Sequence, residues 1–208
     1  MFNFDLNRII MLLPGILVGL TIHEYAHGYV AYRLGDNTAK NSGRLTLNPV
    51  DHIDPLGFLM LMFAGFGWAK PVPVNPFFFR DRRKGMLLVS LAGPVSNLIA
   101  ATVLTIILGI ILRVTGTFNP QLFQFFQLAI GINLVLAVFN LLPVPPLDGS
   151  KILMSLFPSR FEQTFHQFEQ YSYIVLILLL VTGVVSAILL PIVNALRSLL
   201  FVLLALMT

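Results

Sequence analysis

Residues 85–112 read GMLLVSLAGPVSNLIAATVLTIILGIIL, a stretch of 28 residues without a charged side chain. A helix needs about 20 mostly apolar residues to cross the hydrocarbon core of a bilayer. We therefore predict that this stretch is a transmembrane helix. The composition supports this prediction, because 57% of the 208 residues are hydrophobic and 11% are charged, against about 45–50% and about 25% in soluble domains. An ordinary soluble domain is excluded.

Comparable apolar stretches predict further crossings on both sides of this one. They are residues 8–32, 121–142 and 171–208, of which the last is long enough for two helices. Pro191 is the predicted corner between those two helices, since proline interrupts a helix. We expect an all-α polytopic membrane protein with about five to six transmembrane helices, which forms a single membrane-embedded domain over residues 1–208.

One apolar piece is too short to cross the bilayer as a helix. Residues 56–66 end among Gly65 and Gly67 and are followed by the extended-looking sequence PVPVNP at 71–76. Non-helical backbone at membrane depth needs protein or water around it. We therefore predict that residues 41–79 form a re-entrant or interfacial segment with β-like parts.

Basic residues predict the orientation of the chain. Eight of the 13 lysines and arginines lie between the first and second long helices: Arg33, Lys40, Arg44, Lys70, Arg80, Arg82, Arg83 and Lys84. Such charge marks cytoplasmic loops, so we expect the N-terminus outside and the C-terminus inside. We expect the lipid bilayer, and no nucleic acid, as the partner of these charges.

A motif with metal-binding spacing lies inside the first apolar helix. It reads His23-Glu24-Tyr25-Ala26-His27, so the two histidines fall one turn apart on one face of the helix. Both imidazoles can reach one metal ion, and Glu24 stands beside them as a general base for water. Ionisable residues in a membrane helix are costly and usually functional. The chain has no cysteine, which excludes thiolate ligands.

A catalytic zinc ion commonly has three protein ligands, so a third must be found. The candidates are Asp148, Asp51, Asp54, His52, His166 and Asp36. Asp148 follows the third long helix, which ends at the same depth as the histidines if residues 56–66 do not cross. The proline-rich stretch 140–149, NLLPVPPLDG, breaks that helix and would form a polar pocket there.

The two motifs together resemble the site-2 proteases, which are intramembrane zinc metalloproteases with HExxH and a distant NxxPxPxLDG. Ala92-Gly93-Pro94 with Asn97, and the stretch from Gly43 to Pro49, also resemble the compact bacterial branch of that family, which lacks PDZ and CBS domains. The resemblance covers nearly the whole chain. It implies a bacterial inner or plasma membrane. Because His23 and His27 lie toward the cytoplasmic end of the first helix, we expect the active site toward the cytoplasmic side.

The resemblance also implies roles for single residues. One Zn²⁺ per chain would bind His23, His27 and Asp148, Glu24 would activate water, and Asn140 would hydrogen-bond the scissile carbonyl. The substrate would be a transmembrane protein that is cut in or near its membrane segment during regulated intramembrane proteolysis.

Because a helix must unwind before its backbone can be cut, we expect Gly43, Arg44, Val72 and Val74 to bind the unwound substrate by strand addition. A structural plug remains the alternative for this segment, and the oligomeric state stays open. Two other functions also remain, a metal-binding transporter or channel and an inactive homologue that binds membrane proteins.

Overall fold

The computed structural model describes residues 6–64, 67–158, 165, 167 and 169–208. In these residues the secondary structure is helical, apart from one isolated bridge that pairs Ile53 with Ala69. In chain order the α-helices are α1 (Leu6–Arg33), α2 (Thr38–Asn41), α3 (Pro55–Ala64), α4 (Arg82–Thr115), α5 (Pro120–Asn140), α6 (Asp148–Leu156), α7 (Ser172–Val181) and α8 (Val184–Met207). Two 3-10 turns span Pro49–His52 and Pro76–Phe78. The all-α class is confirmed for this part of the chain.

Helices α4, α5 and α8 are long and apolar enough to cross a membrane. Helix α1 has 28 residues, which correspond to about 42 Å of helix. Helices α3 and α7 have 10 residues each and extend about 15 Å, half the thickness of a hydrocarbon core of about 30 Å. The predicted count of five to six transmembrane helices is not confirmed.

The turn between α4 and α5 follows from its sequence. Gly116 ends α4 in the left-handed region, with φ of 59°, a conformation that glycine adopts without a steric penalty. The Asn119 side chain accepts hydrogen bonds from the N–H groups of Gln121 and Leu122, and Pro120 takes the first helical position, where no N–H is needed. Because the turn is short, α4 and α5 run in opposite directions.

Close contacts give the directions of the other two long helices. Gly15 and Gly19 of α1 lie against Ala129 and Asn133 of α5, so α1 and α5 run parallel.

Helix α8 runs antiparallel to α5, since Arg197 lies against Gly131 while Met207 lies against Gly109, near the end of α4. Leu108, Leu134 and Val193 are fully buried at the centre of the resulting core.

The predicted corner at Pro191 is wrong, because Pro191 lies inside α8. The helices α7 and α8 instead separate at Gly183, whose φ of 78° is one that glycine accepts readily. A membrane helix tolerates an internal proline where neighbouring groups satisfy the freed carbonyl. The expectation that the two chain ends lie on opposite sides is also wrong, because α8 ends on the side where α1 begins.

The predicted β-like character of residues 41–79 is wrong for 41–64 and 67–79. These residues form α3, two 3-10 turns and connecting backbone, with the single bridge between Ile53 and Ala69. Re-entry into the bilayer is not confirmed. The stretch from Lys70 to Asn75, which we call the strap, belongs to no helix or strand. The N–H groups of Lys70 and Asn75 hold it, by hydrogen bonds to the His52 carbonyl and the Asp36 carboxylate.

Single cysteines provide a test of this helix arrangement, because the chain has none of its own. Ser42, Thr117 and Thr208 are all exposed. A thiol reagent that cannot cross membranes, applied to oriented vesicles, is expected to label Thr117→Cys and Thr208→Cys from one side and Ser42→Cys from the other. The cysteine-free parent gives the background. Labelling of Thr208→Cys from the same side as Ser42→Cys would contradict the directions of α4 and α8.

Candidate metal centre

Three buried side chains converge where α1 meets the start of α6. His23 and His27 lie one turn apart on α1, and their Nε2 atoms are 3.0 Å apart. The Asp148 Oδ2 atom lies 3.1 Å from Nε2 of His23 and 3.0 Å from Nε2 of His27. The exposed fractions of the three residues are 4%, 9% and 7%. The structure therefore brings together the two histidines and the aspartate that the motifs single out.

The chain returns from α5 to this site through a tight turn that requires glycine. Helix α5 ends at Asn140, and α6 begins at Asp148. A Cβ on Gly149 would lie 2.2 Å from the carbonyl oxygen of Leu141 and 2.4 Å from that of Leu142, closer than real side chains approach. Glycine after the aspartate thus allows the start of α6 to pack on the end of α5, and that packing places the Asp148 carboxylate.

Hydrogen bonds on the far side of each imidazole fix its orientation. Nδ1 of His27 lies 2.7 Å from the Val89 carbonyl oxygen, which only accepts. Nδ1 of His23 lies 2.7 Å from Oδ1 of Asn97, and Nδ2 of Asn97 donates to the Gly19 carbonyl and to Oδ1 of Asn133. Both Nδ1 atoms therefore donate, so each neutral imidazole presents an Nε2 lone pair to the site.

These three candidate ligands fit a zinc ion. Two imidazole nitrogens and a carboxylate oxygen, all acceptors, face one another within hydrogen-bond distance and repel unless a cation lies among them. Histidine and carboxylate ligands are those of catalytic zinc sites, where bonds of about 2.0–2.2 Å place neighbouring ligands about 3.3 Å apart. Across residues 6–64, 67–158 and 169–208 the structure forms no second group of three such side chains.

The other candidates for the third ligand lie elsewhere. Asp36 accepts hydrogen bonds from Thr38 and from the strap. His52 bonds the Thr46 carbonyl, and Asp54 accepts from the N–H of Gly57 at the start of α3. In the part of the chain that the structure describes, Asp51 belongs to no group of three side chains that could bind a metal ion. His166 lies outside the described residues.

Glu24 lies beside the three candidate zinc ligands and contacts the strap. Its Oε2 atom accepts a hydrogen bond of 2.8 Å from the backbone N–H of Val72, a buried residue whose side chain lies against Gly28. This bond fixes one carboxylate oxygen of the candidate general base.

The remaining predicted residues have structural partners. Asn140 is half-buried, and its Nδ2 atom donates to the Leu136 carbonyl of its own helix. Arg44 donates to the Lys70 carbonyl of the strap at 2.7 Å. Gly43 is exposed with a φ of 69°, and Val74 of the strap packs near Ala31 and Phe79.

Sequence reasoning missed the part played by Asn133 and by the Val89 carbonyl. Asn97 was recognised only as part of a resemblance, without a role. The signal for the two asparagines is their presence within apolar helices, where a buried amide needs partners. The backbone carbonyl carries no such signal.

The hydrogen bond to His23 leads to a prediction for Asn97→Leu, which keeps the branched shape of the side chain and removes its polar atoms. Loss of the bond frees the imidazole to rotate, and zinc affinity is expected to fall about 10–100-fold. Competition with a chelator of known affinity measures it. Thr105→Val is the control, because the Thr105 hydroxyl is equally buried on α4 but bonds the Ala101 carbonyl of its own helix. Equal affinities for the two folded variants would contradict the role of Asn97.

A second prediction concerns Gly93, where α4 passes directly over the imidazoles. A Cβ there would lie 2.5 Å from Nε2 of His27 and 2.6 Å from Nε2 of His23. Gly93→Ala is therefore expected to displace both imidazoles and abolish zinc retention. Gly109→Ala on the same helix meets only the flexible Met207 side chain, at 3.0–3.1 Å, and should retain zinc. Zinc content after purification measures both; full zinc in folded Gly93→Ala would contradict the site geometry.

Comparisons with known proteins identify the family. The profile of Peptidase family M50 matches residues 109–183, which include Asn140 and Asp148. The relatives that carry the name "Putative zinc metalloprotease" include YwhC and Rip2. YwhC of Bacillus subtilis is 46% identical over 199 residues, which cover 94% of this chain and 91% of the relative. Rip2 of Mycolicibacterium smegmatis is 31% identical over 183 residues, which cover 83% and 67%. No solved structure gives a significant match.

The alignment with YwhC leaves out about 6% of this chain, or roughly 12 residues, so His23 and His27 lie within the aligned region. The protein has helices that are long and apolar enough to cross a bilayer, and its relatives are zinc metalloproteases of family M50. It is therefore an integral membrane protein. The chain belongs to peptidase family M50, the site-2 protease family of membrane-embedded zinc metalloproteases.

Proposed function

We propose that the protein hydrolyses peptide bonds in or near the transmembrane segments of other membrane proteins, as the protease step of regulated intramembrane proteolysis. The observation that carries this proposal is the convergence of the Asp148 carboxylate on His23 and His27 within the 28-residue helix α1. His23 lies 17 residues after the start of α1 and 10 before its end, roughly 25 Å and 15 Å along the helix. A site at that depth can reach bonds that a water-soluble protease cannot.

His23, His27 and Asp148 would hold a single zinc ion per chain. Bound there, zinc would polarise the scissile carbonyl and lower the pKa of water toward neutrality. His23 and His27 would hold zinc through Nε2, because their Nδ1 atoms donate to Asn97 and to the Val89 carbonyl. These two acceptors would keep the imidazoles oriented.

Glu24 would move the proton. With Oε2 held by the Val72 N–H, Oε1 remains to accept a proton from the attacking water and to deliver it to the leaving amine. Asn140, at the end of α5, would donate its amide hydrogen to the oxyanion that forms on the scissile carbonyl. Since Nδ2 bonds the Leu136 carbonyl and has two hydrogens, one hydrogen serves this role.

The strap and the segment around Gly43 would hold the unwound substrate. Arg44 anchors the strap at Lys70, and Val74 would contact the substrate. The N–H of Val72 is bonded to Glu24, and the flanking prolines have none, so the strap would pair mainly through its carbonyl oxygens. Val72 would contribute by holding the carboxylate of the general base, Glu24, through its backbone N–H.

The same proposal assigns a topology. Helices α1, α4, α5 and α8 would cross the bilayer, and α3 would enter it without crossing. The basic residues near the end of α1 and the start of α4, among them Arg33 and Lys84, would lie in the cytoplasm. The N-terminus would then be outside and the active site toward the cytoplasmic side of a bacterial inner membrane, within one domain over residues 1–208.

Two substitutions test this function. Glu24→Gln is expected to retain zinc and lose cleavage of a model single-span substrate, because the amide cannot accept the proton. Asp148→Ala is expected to lose zinc, because one of three ligands is gone. Zinc content and cleavage are measured side by side in detergent, with Asp51→Asn as a control that retains both.

The alternative functions predict other results. A metal transporter would change its metal affinity or flux in Glu24→Gln without any peptide product. Zinc-loaded wild-type protein that cuts no model substrate, alone or in native membranes, would contradict the proposed function.

A further inference from the structure

A cavity lies within one helical turn of the metal centre. Its volume is about 400 Å³, and α1, α3, α5 and α8 surround it. On α1 the lining begins at Leu12 and ends at Thr21, and on α5 it begins at Gln127 and ends at Leu136. Nine residues of helix span about 14 Å, so the cavity is elongated along these helices, and we call it the channel.

The channel contains an arginine midway along α8, a helix long and apolar enough to cross a bilayer. Arg197 lies 13 residues after the start of α8 and 10 before its end, roughly 20 Å and 15 Å from either end. Its Nη2 atom lies 3.2 Å from where a Cβ on Gly131 would stand, so the glycine of α5 leaves room for the guanidinium. One turn away, Gln127 also lines the channel.

Polar atoms in the channel lack partners. Nε of Arg197 and Nε2 of Gln127 are buried without a hydrogen bond, and so is Nδ1 of His52. In the described chain no acidic side chain forms an ion pair with Arg197. The acid that lines the channel, Asp54, is engaged at the start of α3 with the Gly57 N–H at 2.8 Å. A membrane arginine without a counter-charge is costly, so the channel is suited to an anion.

The position of Arg197 favours a peptide as the source of that anion. Lipid headgroups lie at the bilayer surface, whereas Arg197 lies near its centre. The opposite end of the channel, at Thr21 and Leu136, is within one turn of Glu24 and Asn140. An unwound peptide with freed N–H and carbonyl groups needs polar partners in a membrane, which Gln127 and His52 can supply.

We infer that this channel binds an unwound part of the substrate and that Arg197 selects substrates with an aspartate or glutamate in their membrane segment. This inference rests on the proposed function and names its substrate class. The levels of Gly131 and Asn140 on α5 differ by about 14 Å, which an extended chain spans in about four residues. The selected acid therefore lies about four residues from the cleaved bond.

Binding provides a test that does not depend on cleavage. Full-length Glu24→Gln protein in detergent is titrated with fluorescent single-span model peptides that differ at one membrane position, which is Glu, Gln or Lys. With Arg197 present, the best Glu peptide is expected to bind at least about tenfold more tightly than its Gln counterpart. Arg197→Leu should lose that preference, and Arg197→Glu should transfer it to the Lys peptide.

Matched variants separate this role from a structural one. Asp54→Asn removes the other charge in the channel and is expected to keep the Glu preference, and zinc content shows that each variant retains its metal centre. In wild-type protein, the cleaved bond should lie about four residues from the acid in the preferred peptide. An acid preference without cleavage would contradict the proposed function and leave the binding site intact.

Three outcomes would overturn the inference. One is an equal preference for the Glu peptide with and without Arg197. Another is the same loss in Asp54→Asn as in Arg197→Leu, which would make the two residues a structural pair. The third is a fatty acid or anionic lipid that copurifies with the wild type but not with Arg197→Leu, without any peptide preference, which would assign the channel to lipid.

Discussion

The structure depends on three acceptor atoms held together inside an apolar bundle. Nε2 of His23, Nε2 of His27 and Oδ2 of Asp148 lie 3.0–3.1 Å apart. Without a cation among them, their lone pairs repel in a medium where charge is poorly screened. The rest of the site supplies what this arrangement needs, namely acceptors behind each imidazole, close backbone packing at glycines and a route by which Asp148 returns to α1.

The surrounding helices provide these features with uncharged groups. The amides of Asn97 and Asn133 and the Val89 carbonyl orient the two imidazoles, so no charged group is buried behind the imidazoles. Glycines at 93 and 149 allow the backbone to approach where any side chain would collide. The strap then brings a single N–H to Glu24, which links a segment outside the long helices directly to the candidate base.

The sequence allowed prediction of the features that have a strong local signal. Apolar length predicted α4 and α5, and the four-residue histidine spacing predicted the pair on α1. Matching depths favoured Asp148 among the possible third ligands. Prediction failed where two local signals compete, as at Pro191 and Gly183. Proline suggested a break, but the left-handed glycine formed it, and this error also reversed the expected side of the C-terminus.

Other features depend on contacts between distant parts of the chain. The hydrogen bond from Val72 to Glu24 and the approach of Arg197 to Gly131 join residues far apart in sequence, and neither has a periodic pattern. The alternation of valine and proline at 71–74 suggested a strand, yet proline has no N–H to donate, and the segment became a strap without strand partners.

X-ray absorption at the zinc edge of the purified wild-type protein tests the central claim most directly. The account predicts one zinc ion per chain, with scattering from two imidazoles and from oxygen ligands at about 2.0–2.2 Å. The variants His23→Ala and His27→Ala should each show one imidazole fewer or no zinc. A fully occupied zinc site with fewer than two imidazoles in the wild type, or one that is unchanged in these variants, would contradict the account.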